Sequence, residues 1–147
     1  MRILPCTAST RTEITEQELK LVCHGYELWN AGDLRGLARE VWSPDIEWQN
    51  APEWPGQAEY RGADAVVDFL EEEVVKVIEL GDVQIDEMET FGDQLLVRLT
   101  ARTRGHGSQL DIGMVPVFHV ARITDGKVSR VRAFLTESEA VEAAKHP

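Results

Sequence analysis

The order of elements along the chain predicts an α+β fold, with helices packed on one face of a curved antiparallel sheet. Two observations carry this. Up to about Ile78 the apolar residues recur mostly at helical spacing. After Gly81 they fall into strand-like runs separated by turn signals. No repeat, low-complexity tract or linker divides the chain. Residues 1–147 therefore read as one domain, with 1–13 as a flexible polar arm rich in Thr and Ser.

The first helix begins after Thr15. Thr15-Glu16-Gln17-Glu18 spells a capping box, in which Thr15 accepts from the third helical N–H and Glu18 reaches back. Leu21, Leu28 and Trp29 share one side of this helix, with Tyr26 near its edge. Gly32 supplies the left-handed residue that closes it, and Asp33 caps the next helix, Leu34 to Trp42. Pro44 stops that helix. Asp45 to Asn50 is a short strand, and the Pro- and Trp-containing stretch Ala51 to Arg61 is a loop. A third helix runs from Gly62 to about Ile78, with Val66, Phe69, Leu70, Val74 and Val77 facing a core and Glu71 and Glu72 facing away.

Four strands follow: Val83 to Phe91, Leu95 to Arg104, Leu110 to Thr124 and Lys127 to Leu135. They are turned at Gly92-Asp93, at Gly105 to Ser108 and at Asp125-Gly126, the last a strong two-residue hairpin signal. Thr136-Glu137-Ser138-Glu139 opens a short C-terminal helix to about Lys145. The long third strand is apolar at both parities through Ile112, Met114, Val115, Val117, Phe118 and Val120. A sheet apolar on both sides needs a second cover, and a homodimer through the outer face is the expected one.

With 147 residues, 43% of them hydrophobic, the chain is long enough to build a core without staples. Its 15 basic and 26 acidic residues leave a net charge of -11, which repels phosphate backbones and anionic lipid, so neither nucleic acid nor membrane is expected as a partner. Cys6 and Cys23 stand at no metal spacing and read as reduced thiols of a cytoplasmic protein. The opening apolar run is too short for a signal peptide. No metal cluster, phosphate loop or nucleophile elbow is present in the sequence, so no cofactor is expected.

Several segments together resemble a known family: Trp29-Asn30-Ala31-Gly32-Asp33-Leu34, Pro44-Asp45-Ile46-Glu47-Trp48, Tyr60-Arg61-Gly62, Asp125-Gly126-Lys127-Val128 and Val131-Arg132-Ala133-Phe134-Leu135. In this order and spacing they are similar to the SnoaL-like branch of the nuclear transport factor 2-like superfamily, over roughly residues 15 to 145. The resemblance implies a cone-shaped, cystatin-like roll, its curved antiparallel sheet wrapped around the N-terminal helices. It implies a ligand held in the mouth of the cone. The superfamily includes polyketide cyclases, ketosteroid isomerases, dehydratases, epoxide hydrolases and non-catalytic binding proteins, so the fold alone does not select a reaction.

Carried over one position at a time, the isomerases' catalytic Asp falls at Asn50, their oxyanion-binding Tyr at Gly25 and their second Asp at His119. Trp48-Gln49-Asn50-Ala51-Pro52 resembles the Tyr-Gln-Asn-x-Pro segment of limonene epoxide hydrolases, but their Asp-Arg-Asp set falls on Arg102, Thr100 and Ala133. The carboxylates of both enzyme types are absent. His119 remains as the candidate proton carrier, since a histidine exchanges a proton near neutral pH; a hydrogen-bonded core histidine is the alternative. Asn50 would orient a substrate oxygen, with Trp29, Trp48 and Trp54 lining a hydrophobic site. Arg98 and Arg102 share one strand face with Thr100. If that face is concave, Arg102 enters the cavity and favours an anionic or carbonyl ligand; if convex, both arginines are surface groups.

Three readings stand. The first is a cofactor-independent enzyme of secondary metabolism acting by acid–base chemistry on a hydrophobic, polyketide- or terpenoid-like small molecule, as a cyclase, isomerase, dehydratase or epoxide-opening catalyst. The second is a binding protein for such a molecule. The third is a dimeric interaction module. A cavity with converging polar groups favours the first, a dry smooth one the second, and one filled by its own side chains the third.

Overall fold

The computed structural model describes residues 2–4, 14–53, 57–74, 78–103 and 114–146. In chain order its elements are β1 (Arg2–Leu4), α1 (Glu16–Asn30), α2 (Leu34–Glu40), β2 (Trp42–Gln49), β3 (Glu59–Arg61), α3 (Ala63–Glu72), β4 (Ile78–Phe91), β5 (Gln94–Thr103), β6 (Met114–Thr124), β7 (Lys127–Phe134) and α4 (Glu137–Lys145). The described strands form one seven-stranded sheet in the order β1-β4-β5-β6-β7-β2-β3. Strands β4 to β7 are the expected antiparallel meander. The sheet is nonetheless mixed, because β2 runs parallel to β7. Register shifts in β4, between β6 and β7, and between β2 and β7 mark bulges, which bend strands and curve the sheet.

Local chemistry accounts for the element ends. Thr15 and Glu18 form the reciprocal capping box, with bonds of 3.1 and 2.9 Å. Gly32 takes φ 76°, and Asp33 then accepts from the Gly36 N–H at 2.8 Å. Asn30 fastens the end of α1 to β4, donating to the Val83 carbonyl at 2.8 Å and accepting from its N–H at 3.0 Å. Asp125 and Gly126, both at positive φ, turn β6 into β7.

Some boundaries differ from expectation. The second helix ends at Glu40, and Trp42 opens β2, because the Val41 carbonyl accepts from the Val128 N–H at 2.9 Å and draws the chain into the sheet. Helix α3 ends at Glu72, and β4 begins at Ile78, earlier than Val83. Residues 59–61, expected in a loop, form β3, and residues 2–4 of the arm pair with β4. Thr136 bonds to the Glu139 carboxylate at 2.7 Å and makes no side-chain cap to a backbone N–H. Cys23 is disulfide-bonded, which corrects the expectation of reduced thiols; sequence spacing does not report how near two cysteines come in space. Cys6 lies outside the described residues. No helix of the described residues is long and apolar enough to cross a membrane.

The sheet has two covered faces. Helices α1 to α3 pack Leu19, Val22, Leu37, Val66, Phe69 and Leu70 onto the inner face, against Val97, Leu99, Val117 and Val131. Helix α4 packs Ala140 and Ala144 onto the outer face, against Leu96, Phe118 and Val120. The second cover that a two-sided apolar sheet needs is therefore supplied within the chain. The homodimer expected through this face loses that premise.

Candidate functional site

Within β6, Val117, His119 and Ala121 project from the inner face, and His119 lies in register between Val97 of β5 and Ala133 of β7. Its side chain is 7% exposed. Across from it, Tyr26 of α1 brings its hydroxyl to 2.7 Å from His119 Nδ1, the two rings stacking at 6.0 Å between centroids. Trp48 of β2 meets the imidazole edge-on at 5.3 Å and stacks on Trp29 of α1 at 6.5 Å. The strand pairing of β2 with β7 places the indole there: Trp48 is in register with Val131, whose side chain belongs to the same inner core.

These residues wall a cavity. Tyr26, Trp29, Trp48, Asn50, Leu99 and His119 line it among others, and it holds about 590 Å³ of empty space counted to its open mouth. The room inside it for the centres of water-sized spheres is only about 60 Å³. A second space, with room of about 40 Å³ for such centres, shares Tyr26, Trp29, Trp48 and His119 with the first among its lining residues. Among the described residues no Asp or Glu lines either space. Among the described residues no cluster of His, Cys, Asp and Glu is suited to hold a metal ion.

Burial sets the charge state of the pair. Desolvation pushes the His119 pKa down to about 4, because an imidazolium here would have no anion beside it. The same cause raises the Tyr26 phenol well above its ordinary value. Both groups are neutral at pH 7. The direction of the bond follows the imidazole tautomer: with the proton on Nε2, Nδ1 accepts from the Tyr26 O–H; with it on Nδ1, the ring donates to the phenol oxygen. His119, the expected proton carrier, is thus neutral and hydrogen-bonded through one ring nitrogen.

Asn50 is also placed on the wall, but its amide is already committed. Its Oδ1 accepts from Trp48 Nε1 at 3.0 Å, its Nδ2 donates to the Gln57 carbonyl at 2.9 Å, and its backbone N–H donates to the Ala58 carbonyl at 2.8 Å. Asn50 holds the indole and the loop after β2 in place, and one Nδ2–H is left beyond these bonds. Trp29 and Trp48 line the cavity as expected. Trp29 Nε1 is buried without a partner among the described residues. Trp54 lies outside the described residues.

Arg102 corrects the sequence reading. It shares the strand parity of Leu96 and Arg98, the outer face, and is exposed rather than in the cavity. Arg98, on that face too, is held by Glu89 at 2.8 Å and Glu137 at 2.6 Å. Tyr26 is the residue that sequence reasoning set aside. Its neighbour Gly25 occupies the position where the isomerases carry tyrosine, and a Cβ there would come within 3.1 Å of Leu37 Cδ1 and 3.3 Å of Val41 Cγ1. Gly25 thus lets α1 press against α2, and the tyrosine one residue later reaches the sheet from the helix edge. The signal was a lone Tyr beside a helix-packing Gly, too slight to read without the helix in place.

Comparison with known proteins fits this arrangement. No curated protein sequence matches the chain. Among solved structures it is similar to an NTF2-like protein of unknown function from Burkholderia pseudomallei, at 18% identity over 87% of this chain and 97% of that one, with a TM-score of 0.68. It is similar to a provisionally assigned SnoaL-like polyketide cyclase from Jannaschia sp., at 20% identity over 95% and 99% with a TM-score of 0.67. TerC co-crystallised with polyporic acid is a third, at 16% identity over 89% and 99% and a TM-score of 0.67. At these identities the likeness is one of fold. The SnoaL-like domain family matches residues 23–131, most of the chain, with both Tyr26 and His119 inside the match. The protein, an α+β cone with the fold of the NTF2-like structures it resembles, belongs to the SnoaL-like domain family.

Proposed function

We propose that this protein is a cofactor-independent enzyme that activates a carbonyl group of a hydrophobic, polyketide-like small molecule, in the manner of a cyclase. The Tyr26–His119 contact of 2.7 Å, set in an apolar cavity, is the observation that carries the reading. A neutral imidazole in the Nε2–H tautomer donates to a carbonyl oxygen and stabilises the charge that develops there. In a 1,3-dicarbonyl chain the nucleophile is the substrate's own enol carbon. That carbon bonds to the polarised carbonyl carbon, the new alkoxide takes the Nε2 proton, and the enol hydroxyl returns a proton to Nε2. The sum is an internal addition that consumes no co-reactant. Such chemistry needs no carboxylate base, and the described lining residues include none. Epoxide opening by water would need one, and finds none among those described residues.

The apolar lining also supports a second reading, a carrier that holds such a molecule without converting it. One experiment separates the two. Binding is followed by quenching of tryptophan fluorescence with polyporic acid as probe, and turnover with a panel of aromatic poly-β-keto esters. We expect His119→Gln to weaken binding by about tenfold or less, one hydrogen bond's worth. Turnover of a panel member by wild type should fall by about 100-fold or more in the variant. Binding without turnover in the wild type, or equal turnover in the variant, replaces the enzyme reading with the carrier.

A further inference from the structure

On the outer face of the sheet, away from the cavity, three arginines stand together. Arg122 of β6 and Arg130 of β7 are register partners, and Arg132 follows on the same face opposite Val120. Arg130 Nε and Nη2 and Arg132 Nε are buried with no acceptor. Arg132 spends its Nη2 on the Ala143 carbonyl at 2.9 Å and, more loosely, on Gln94 Oε1 at 3.4 Å. Arg122 reaches Asp93 at 3.5 Å. Glu47, the register partner of Arg130 on β2, leans instead to Arg61 at 3.7 Å. From α4 above, Glu142 is taken up by His146 at 3.4 Å. Arg130 makes no hydrogen bond or ion pair among the described residues.

Buried guanidinium N–H groups without acceptors are rare, since each forfeits its hydration. Here they also crowd like charges together: burial and then Arg130 and Arg122 make the Arg132 charge harder to hold. One ligand relieves both costs. We propose that Arg122, Arg130 and Arg132 form a binding site for a small oxyanion on the outer face of the sheet. These donors are enclosed as the side chains stand, so a bound oxyanion would draw Arg130 and Arg132 outward to meet it in charge-assisted bonds. Three neighbouring cations favour a multiply charged ion, phosphate over acetate. The site is independent of the cavity and of the reaction proposed for it.

The test uses the full chain and inorganic phosphate, with acetate and chloride at matched ionic strength. Arginine Nε–Hε resonances are followed by NMR, and melting temperature in parallel. We expect saturable shifts at Arg130 and Arg132 with phosphate, little with acetate, none at Arg98, and a rise in melting temperature. In Arg130→Gln, and separately in Arg122→Gln, the apparent affinity should fall by about tenfold or more. Equal response to phosphate and chloride, or to phosphate in wild type and both variants, overturns the site. So does a second copy on this face, seen as a sedimenting dimer that Arg130→Gln dissociates and phosphate does not affect.

Discussion

Strands β5 to β7 bury polar groups on both faces, and they do so in opposite ways. On the inner face His119 and Tyr26 are neutral and satisfy each other. On the outer face Arg98 keeps its charge between Glu89, 4% exposed, and the half-open Glu137. The difference follows from what surrounds them. The inner pair meets only aromatic and aliphatic walls, where an isolated charge is untenable. The outer network has its counter-ions within hydrogen-bond reach and solvent at one end. A site meant to act on an uncharged apolar molecule is suited by the first arrangement, and the docking of a short helix by the second.

Breaking the outer network should have the larger effect. Arg98→Met leaves Glu89 buried without its cation and frees the start of α4, and we expect a loss of about 3–5 kcal/mol in urea unfolding at pH 7. A loss under about 1 kcal/mol, the size of an exposed pair, would mean that the network is effectively solvated.

The inner pair should reveal itself through pH. The folded pKa of His119, about 4, lies below its unfolded value of 6.5, so between these values the unfolded chain binds a proton that the folded one does not. Stability is therefore complete above pH 6.5 and declines as pH falls toward 4, by about 3 kcal/mol in all. Other groups titrate in this window, so the quantity to measure is wild type minus His119→Gln. A difference that stays flat from pH 7 to 4 would show that the imidazole is not desolvated.

The smallest effect is expected from Tyr26→Phe, which removes one neutral hydrogen bond for about 1 kcal/mol of stability. In an active preparation it should also shift the pH profile of turnover, since His119 loses its partner at Nδ1. An unchanged profile would leave Tyr26 as packing alone.

Much of the fold was legible because its signals are local. Thr15 and Glu18 cap α1 through bonds spanning three residues, and Asp125-Gly126 turns β6 into β7 within two. The parallel pairing of β2 with β7 joins residues far apart in sequence, and no local pattern announces it. Likewise the alternation in β5 puts Arg98 and Arg102 on one face without saying which; α4 and the inner helices decide that. At the site, His119 was visible as a polar residue inside an apolar strand. Its partner was not, because whether Tyr26 reaches the sheet depends on how closely α1 seats, and that depends on Gly25 meeting Leu37 and Val41. The bonds of Asn50 were not legible either, because Trp48 Nε1 and the Gln57 carbonyl reach its amide only once β2 and the following loop are folded.

The parallel pairing of β2 with β7 also has a temporal side. Trp42 and Trp48, from the first third of the chain, are in register with Val128 and Val131, and Tyr26 bonds to a residue 93 positions away. Contacts of such separation close late, since a long loop must be ordered before they return any stabilisation. On the ribosome the helices and β2 emerge with half of their cavity missing, and its tryptophans wait for the last strand. Hydrogen exchange pulsed during refolding should therefore protect the amides of β4 and β5 before that of Trp48; simultaneous protection would mean that the two halves condense together.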